Sequence, residues 1–305
     1  MKKRILITGA HGFLGRYTAR RFKEEGHYIT GMGHGKWDPD EYNQWGLDEW
    51  FETTITFEAL LNINEQFDII VNCGGGGSVG FSLANPYEDF QKTVQSTLSL
   101  LEYIRLQSPN SVLIYPSSPA AQGILGDVKI KEDMQSIPIS PYGIHKKIAE
   151  DLCKSYHNNY GINIGIIRFF SIYGEGLQKQ LLWDACKKIY ASDQVTFFGT
   201  GAETRDWIHV DDASALVGAF SKRLSGYQII NGASGVRTEI KDIVYLLARR
   251  FDKKVDIKFS GTVKEGDPSN FWADISDALK LNWEPTVTFE NGLKRYVDYF
   301  MKLKG

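Results

Sequence analysis

The chain alternates between short apolar runs and longer stretches in which apolar residues recur at helical spacing. Such alternation predicts βαβ units. The predicted strands are Arg4–Thr8, Tyr28–Met32, Phe67–Cys73, Ser111–Tyr115, Ile162–Arg168 and Tyr227–Asn231. The predicted helices between them are Leu14–Glu25, Phe90–Gln107 and Pro141–Asn159.

Two of the predicted strands, 67–73 and 111–115, are almost continuously hydrophobic, as expected for strands buried on both faces of a parallel sheet. Beyond residue 172 the alternation loosens. The pattern therefore predicts an α/β protein with a doubly wound parallel Rossmann sheet and a smaller mixed α/β C-terminal substrate lobe. We assign 1–171 and about 207–235 to the Rossmann domain, and about 172–206 and 236–305 to the lobe.

Composition excludes several classes of partner. The net charge is −2 without long runs of either sign, so we expect no nucleic-acid-binding face and no membrane association. The short apolar run near the N-terminus ends at glycines and does not fit a signal peptide. The cysteines have neither metal-binding nor disulfide spacing, which is typical of reduced thiols. These features predict a cytoplasmic protein without a metal site.

A glycine turn follows the first predicted strand directly and precedes a helix. Its spacing, GxxGxxG over Gly9–Gly15, suits a tight turn that lets backbone approach a pyrophosphate at the helix N-terminus. We therefore predict dinucleotide binding by the residues Gly9, His11, Gly12, Phe13, Leu14 and Gly15.

The end of the second predicted strand bears on the choice between NAD and NADP. NAD-binding proteins usually place an acidic residue there, to bind the ribose hydroxyls. Here the position is Gly33, and His34 and Lys36 follow it, with His11 nearby in the glycine turn. Cations without the acid would accommodate a 2′-phosphate. This favours NADP(H), with NAD(H) possible.

A second group of residues, outside the glycine turn, indicates proton transfer. Ser118 follows the strand at 111–115, and Tyr142 and Lys146 lie four residues apart near the start of a predicted helix. That spacing puts phenol and ammonium on one helical face, where the ammonium is expected to lower the phenol's pKa. We predict Ser118, Tyr142 and Lys146 as catalytic residues, with Tyr142 as the proton carrier.

The motifs TGAHGFLG, YPSSPAAQG, YGIHK, RFFSIYG and TRDWIHVDD resemble, in order and spacing, those of the extended short-chain dehydrogenases, the nucleotide-sugar epimerase/dehydratase family. The resemblance covers essentially the whole chain. It implies a nucleotide-diphosphate sugar as substrate. It also implies nicotinamide contacts from Gly74 and Gly75, and substrate contacts from Val79, Ser118, Ser171, Arg205, Lys264 and Asp267.

The chain departs from the family pattern at four positions. Thr93 and Ser171 stand where the family usually has asparagines, so substrate binding should be altered rather than lost. Pro119 and Ala120 occupy the places where the family's dehydratases carry an Asp-Glu pair. Without that acid and base, sugar 4,6-dehydration is not expected.

Four functions remain open. The first, which the absent acid at Gly33 favours, is reduction of a 4-keto nucleotide sugar by NADPH. The second is 4-epimerisation with NAD, and the third is oxidation of a nucleotide sugar by a dehydrogenase. The fourth, a non-enzymatic cofactor-sensing relative, would not need the triad. The resemblance also implies a homodimer through the helices at 90–107 and 141–159, whose apolar residues Leu98, Leu101, Ile104, Ile148 and Leu152 could equally pack within one subunit.

Overall fold

The computed structural model describes residues 1–262 and 270–304. Its strands, in chain order, are β1 (Arg4–Thr8), β2 (Tyr28–Gly33), β3 (Glu49–Glu52), β4 (Ile69–Asn72), β5 (Val112–Ser117), β6 (Asn163–Phe169), β7 (Ser171–Tyr173), β8 (Gln194–Phe197), β9 (Thr204–His209), β10 (Tyr227–Gly232), β11 (Arg237–Glu239) and β12 (Asp256–Phe259). The helices are α1 (Phe13–Glu24), α2 (Pro39–Gln44), α3 (Phe57–Ile63), α4 (Val79–Ala84), α5 (Pro86–Phe90), α6 (Ser96–Gln107), α7 (Pro141–Tyr160), α8 (Gln180–Ala191), α9 (Val210–Arg223), α10 (Ile240–Arg250), α11 (Ser276–Leu279) and α12 (Phe289–Lys302).

A parallel sheet forms the centre of the molecule, as predicted. In the described part of the chain it has seven strands in the order β10-β6-β5-β4-β1-β2-β3. The chain order reverses between β1 and β4, so the crevice beyond the carboxyl ends of these strands is where ligands bind in such sheets. The buried strand residues Ile5, Ile7 and Val71 pack into one hydrophobic cluster, and Leu6 and Ile70 pack into another.

The C-terminal part adds two small sheets. One has the order β11-β9-β7, and β8 pairs with β12 in the other. Their apolar faces pack with α8, α10 and α12 around a separate cluster that includes Phe197, Leu247 and Phe300. The boundaries of the two lobes stay a prediction.

Local sequence explains the helix that carries the predicted tyrosine and lysine. Pro141 occupies its first turn, and the Ser140 hydroxyl accepts a hydrogen bond from the Gly143 amide at 3.2 Å. Both features favour a helix start. Gly161 ends the helix at φ 70°, the left-handed conformation that glycine adopts readily.

The prediction of one regular helix over 90–107 is wrong. Helical structure begins earlier, at Pro86, and a π-helical turn at Gln91–Gln95 separates α5 from α6. The Ser96 and Thr97 hydroxyls donate to the carbonyls four residues earlier, at 2.5 and 2.6 Å. Such side-chain bonds compete with regular helical pairing.

Sequence reasoning left many elements unassigned, and β3 and α9 of the central domain are among them. The strand β3 is short, lies at the sheet edge and is largely half-exposed, so its hydrophobic pattern is weak. The helix α9 carries many buried residues and follows β9 without a glycine or proline boundary. None of the helices in the described part of the chain is long and apolar enough to cross a membrane.

The apolar residues of the predicted dimer helices divide into two groups. Leu101 and Ile104 are fully buried within the subunit, and Leu152 packs partly buried against the same cluster. Leu98 and Ile148 are exposed, at 40% and 36%. Core packing therefore explains the first group, and only the second is available to a partner.

Candidate active site

The glycine turn forms a cradle that side chains would fill. Gly9 has φ 65°, and a Cβ there would lie 2.6 Å from the Gly74 amide nitrogen. A Cβ on Gly15 would overlap the Gly9 carbonyl oxygen. Gly12 stands at the N-cap of α1 without a side-chain cap, which leaves the first amides of the helix open to a ligand. This backbone surface fits the pyrophosphate of a nicotinamide dinucleotide.

Residues predicted to bind the adenosine end lie at the end of β2. His34 and Lys36 are exposed there. The His11 ring, by contrast, is turned against Trp37, with ring centres 4.6 Å apart, and its Nδ1 lies 3.3 Å from the His34 carbonyl. The prediction that His11 helps to bind a 2′-phosphate stays a prediction, with its ring packed among aromatic side chains.

One cavity of about 860 Å³ brings most of the other predicted residues together. It begins at the start of α1, passes the loop 74–80 and the carboxyl end of β5, and continues to β7 and β9. Predicted residues that line it are Gly12, Phe13, Leu14, Gly74, Gly75, Val79, Ser118, Tyr142, Lys146, Ser171 and Arg205. Lys264 and Asp267 lie outside the described residues.

Lys146 lies at the floor of this cavity and is only 5% exposed. Its Nζ donates to the Pro116 carbonyl at 3.0 Å and lies 6.0 Å from the centre of the Tyr142 ring. Burial lowers the pKa of Lys146 to about 8, because the ammonium loses its hydration.

The Tyr142 phenol behaves differently from the sequence prediction. Burial raises its pKa above the ordinary value, a hydrogen bond with Ser118 opposes this, and the charge of Asp89 adds to the increase. The expected lowering of this pKa is therefore not found, because desolvation of the buried phenol outweighs the hydrogen bond with Ser118. Ser118 also accepts a hydrogen bond from the Ala120 amide at 3.2 Å, which orients its hydroxyl.

Arg205 and Ser171 lie on neighbouring strands, β9 and β7, at the far end of the cavity. The Arg205 Nη1 donates to the Thr204 carbonyl at 2.8 Å, and its guanidinium lies 5.9 Å from the centre of the Phe271 ring. The next residue, Asp206, accepts hydrogen bonds from the Ser234 amide and hydroxyl, both at 2.8 Å. This anchors β9 beside the cavity.

Lys179 and Phe271 are among the residues of the cavity wall that sequence reasoning missed. Lys179 precedes α8 and its Nζ would lie 3.4 Å from a Cβ on Gly77, so it faces the glycine-rich loop. Phe271 stacks near Arg205. No local sequence pattern around Lys179 signals a ligand.

Comparisons with known proteins agree with this geometry. The family model described as "NAD dependent epimerase/dehydratase family" matches residues 5–231. A curated UDP-glucuronate 4-epimerase from Thermodesulfobacterium geofontis is 32% identical over 96% of this chain and 95% of its own.

Solved structures share the fold over nearly the whole chain. The UDP-glucuronic acid 4-epimerase of Bacillus cereus, in complex with UDP-glucuronic acid and NAD, is 27% identical with a TM-score of 0.87, covering 98% of this chain and 99% of that one. A UDP-N-acetylglucosamine 4-epimerase from Methanobrevibacter ruminantium has a TM-score of 0.90 at 22% identity, covering 99% and 100%. With the glycine cradle and the Ser-Tyr-Lys cavity, these matches show that the chain belongs to the NAD-dependent epimerase/dehydratase family.

Proposed function

We propose that this protein, an NAD(P)-dependent enzyme of nucleotide sugars, is a UDP-sugar 4-epimerase. The observation that carries the proposal is that one cavity holds Tyr142 with its lysine and serine between the glycine cradle and Arg205. The relatives support epimerisation, which the sequence left as the second possibility, and do not support the reductase function that it favoured.

The proposed chemistry assigns each side chain a task. A bound nicotinamide supplies an acceptor and then a donor for the hydride of sugar C4. Tyr142, as phenolate, accepts the proton of the 4-hydroxyl when C4 is oxidised, and returns a proton when the 4-keto sugar is reduced from its other face. The Ser118 hydroxyl, hydrogen-bonded to the phenol, orients the same oxygen. Lys146 stabilises the phenolate by its positive charge.

The cations of the cavity support an anionic substrate. Arg205, on β9, is the proposed partner of the diphosphate, since a guanidinium binds phosphate oxygens with charge-assisted hydrogen bonds. Lys179 faces the glycine-rich loop and lines the same cavity as Tyr142, where it would meet a carboxylate on C6 of the sugar. We therefore propose a UDP-hexuronate as the substrate class.

The cofactor proposal is NAD rather than NADP. Epimerisation returns the cofactor unchanged, and the Bacillus cereus relative is described with NAD. His34 and Lys36 remain exposed, so separate dissociation constants for NADH and NADPH decide the choice. Tighter NADPH binding would overturn the NAD assignment.

A homodimer is also proposed. Exposed apolar side chains occur on α5, α6 and α7, where Tyr87 is 74%, Leu98 40% and Ile144 44% exposed. Exposed apolar side chains on these helices would be covered in a dimer, since apolar surface patches mark protein contacts.

One experiment tests the function directly. The purified protein is incubated with UDP-glucuronate, UDP-glucose or UDP-N-acetylglucosamine and NAD, and the sugar products are separated by chromatography. We expect the 4-epimer of UDP-glucuronate without net production of NADH. Failure to epimerise any of these sugars, with stoichiometric NADPH oxidation on a 4-keto sugar nucleotide, would establish the reductase instead.

A further inference from the structure

A buried acid–imidazole pair lies behind the proposed catalytic residues. Asp89, on α5, is fully buried. Its Oδ2 lies 2.6 Å from Nδ1 of His145, on α7. Two acceptors would repel each other at this distance, so His145 presents an Nδ1–H to the carboxylate. The other oxygen, Oδ1, is buried without a hydrogen-bond partner among the described residues.

The pair is close in the chain to the two titratable residues of α7 in the proposed site. His145 stands between Tyr142 and Lys146 on the first turns of α7. Burial has the largest effect on the pKa of Lys146 and lowers it. The negative charge of Asp89 has the largest effect in the opposite direction. For Tyr142, after burial and the Ser118 hydrogen bond, the same charge raises the pKa.

The carboxylate also touches the loop that forms the cavity wall. A Cβ on Gly76 would overlap Asp89 Oδ1, and the Gly76 amide donates to the Thr93 hydroxyl at 3.0 Å. Gly76 lines the cavity, whereas Asp89 lies behind it and does not. Asp89 therefore acts on a ligand only through other residues.

Burial of a carboxylate with one unsatisfied oxygen is costly, so a purely structural reason for this pair is weak. An apolar pair of similar volume would join α5 to α7 without that cost. A fixed negative charge beside a buried lysine has a use that an apolar pair lacks, because it stabilises the ammonium.

We propose that Asp89, held by His145, is a positioning residue whose fixed negative charge acts on both neighbours, keeping Lys146 in its ammonium form and setting the pH range in which Tyr142 exchanges its proton. This inference rests on the proposed function for its kinetic consequence. The titratable groups that face Asp89 are Tyr142, His145 and Lys146 of α7. The loop 74–80 contributes none, and Lys92, just beyond α5, is paired with Glu88 at the surface.

The sign of the effect follows from the lost charge. Asp89→Asn keeps the shape but removes the negative charge, so Lys146 loses its proton at lower pH and Tyr142 ionises at lower pH. Both limbs of the kcat/KM profile should move to lower pH, by roughly one unit for one nearby charge in a partly buried site. Asp151→Asn removes a charge from the exposed side of the same helix and should leave both limbs unchanged.

A measurement without substrate separates this inference from the proposed function. The tyrosinate absorbance of the protein is titrated with and without Tyr142→Phe, and the difference reports Tyr142 alone. We expect Asp89→Asn to shift this difference titration to lower pH, as in the kinetic profile. An unshifted titration in folded Asp89→Asn protein overturns the inference even if epimerisation is observed. A shifted titration supports it even if no epimerisation is found, which would instead reject the proposed function.

A second pair of variants covers the case in which Asp89→Asn does not fold. His145→Asn retains an N–H near the position of Nδ1 and should keep the wild-type titration. His145→Leu removes the donor, so the carboxylate takes up a proton and the Tyr142 titration should shift as in Asp89→Asn. Equal titrations for the two His145 variants would contradict the proposal.

Discussion

Replacing Glu150 by alanine tests the buried ion pair that supports the catalytic strand and helix. Glu150, on α7, and Arg168, on β6, are each 3% exposed. The Arg168 Nη2 and Nε donate to the two carboxylate oxygens at 2.7 and 3.0 Å, and the Ser117 hydroxyl donates to one of them at 2.6 Å. The pair thus joins α7 and β6 to the residue that precedes Ser118.

Removal of one partner leaves the other charge buried without compensation, which costs about 3–5 kcal/mol. The unfolding entropy of a chain of 305 residues is about 0.6 kcal/mol/K, so Tm should fall by about 5–8 °C. Denaturant titration gives the free energy of unfolding, and calorimetry gives Tm. Glu284→Ala, at an exposed position, is the control and should change stability by less than about 0.5 kcal/mol.

The double variant Glu150→Met/Arg168→Met identifies the cause. If the loss in Glu150→Ala arises from the uncompensated Arg168 charge, the apolar pair should recover most of it, because an apolar pair of similar volume is often as stable as a buried ion pair. A cost below about 1 kcal/mol for Glu150→Ala, or a double variant no more stable than the single one, would refute the reasoning.

Further predictions concern catalysis, binding and assembly. Tyr142→Phe should lower turnover by roughly 10²–10⁴-fold with NAD affinity retained. Tyr245→Phe, at an exposed site, is the control and should leave turnover unchanged. Near-normal turnover in Tyr142→Phe would reject the proton-transfer role. Arg205→Ala should raise KM for the sugar nucleotide by roughly ten- to a hundredfold, from the loss of a charge-assisted contact worth about 1.5–3 kcal/mol, and an unchanged KM would remove it from the diphosphate site. Leu98→Glu with Ile148→Glu should convert a dimer to monomer in sedimentation, while a wild-type monomer at micromolar concentration would contradict the dimer.

Much of the cofactor cradle and the Ser-Tyr-Lys constellation could be predicted because their signals are local. The spacing of Gly9, Gly12 and Gly15 needs only a strand before it and a helix after it, and both follow from hydrophobic periodicity. Tyr142 and Lys146 share a helical face by their separation alone. The parallel sheet was predictable for the same reason, since strands buried on both faces lack alternation.

The tertiary structure decided what depends on burial and on contacts between distant segments. The pKa of Tyr142 rises although a lysine is near, because the fold removes water from both groups, and no spacing in the sequence reports that loss. The His11 ring meets Trp37 across a turn, so its availability to a cofactor could not be read from its place in the motif. Asp89 and His145 are 56 residues apart and become a buried pair only when α5 packs on α7. Periodicity determines which elements form, whereas the packing of those elements sets the local dielectric environment and hence the charges with which the site works.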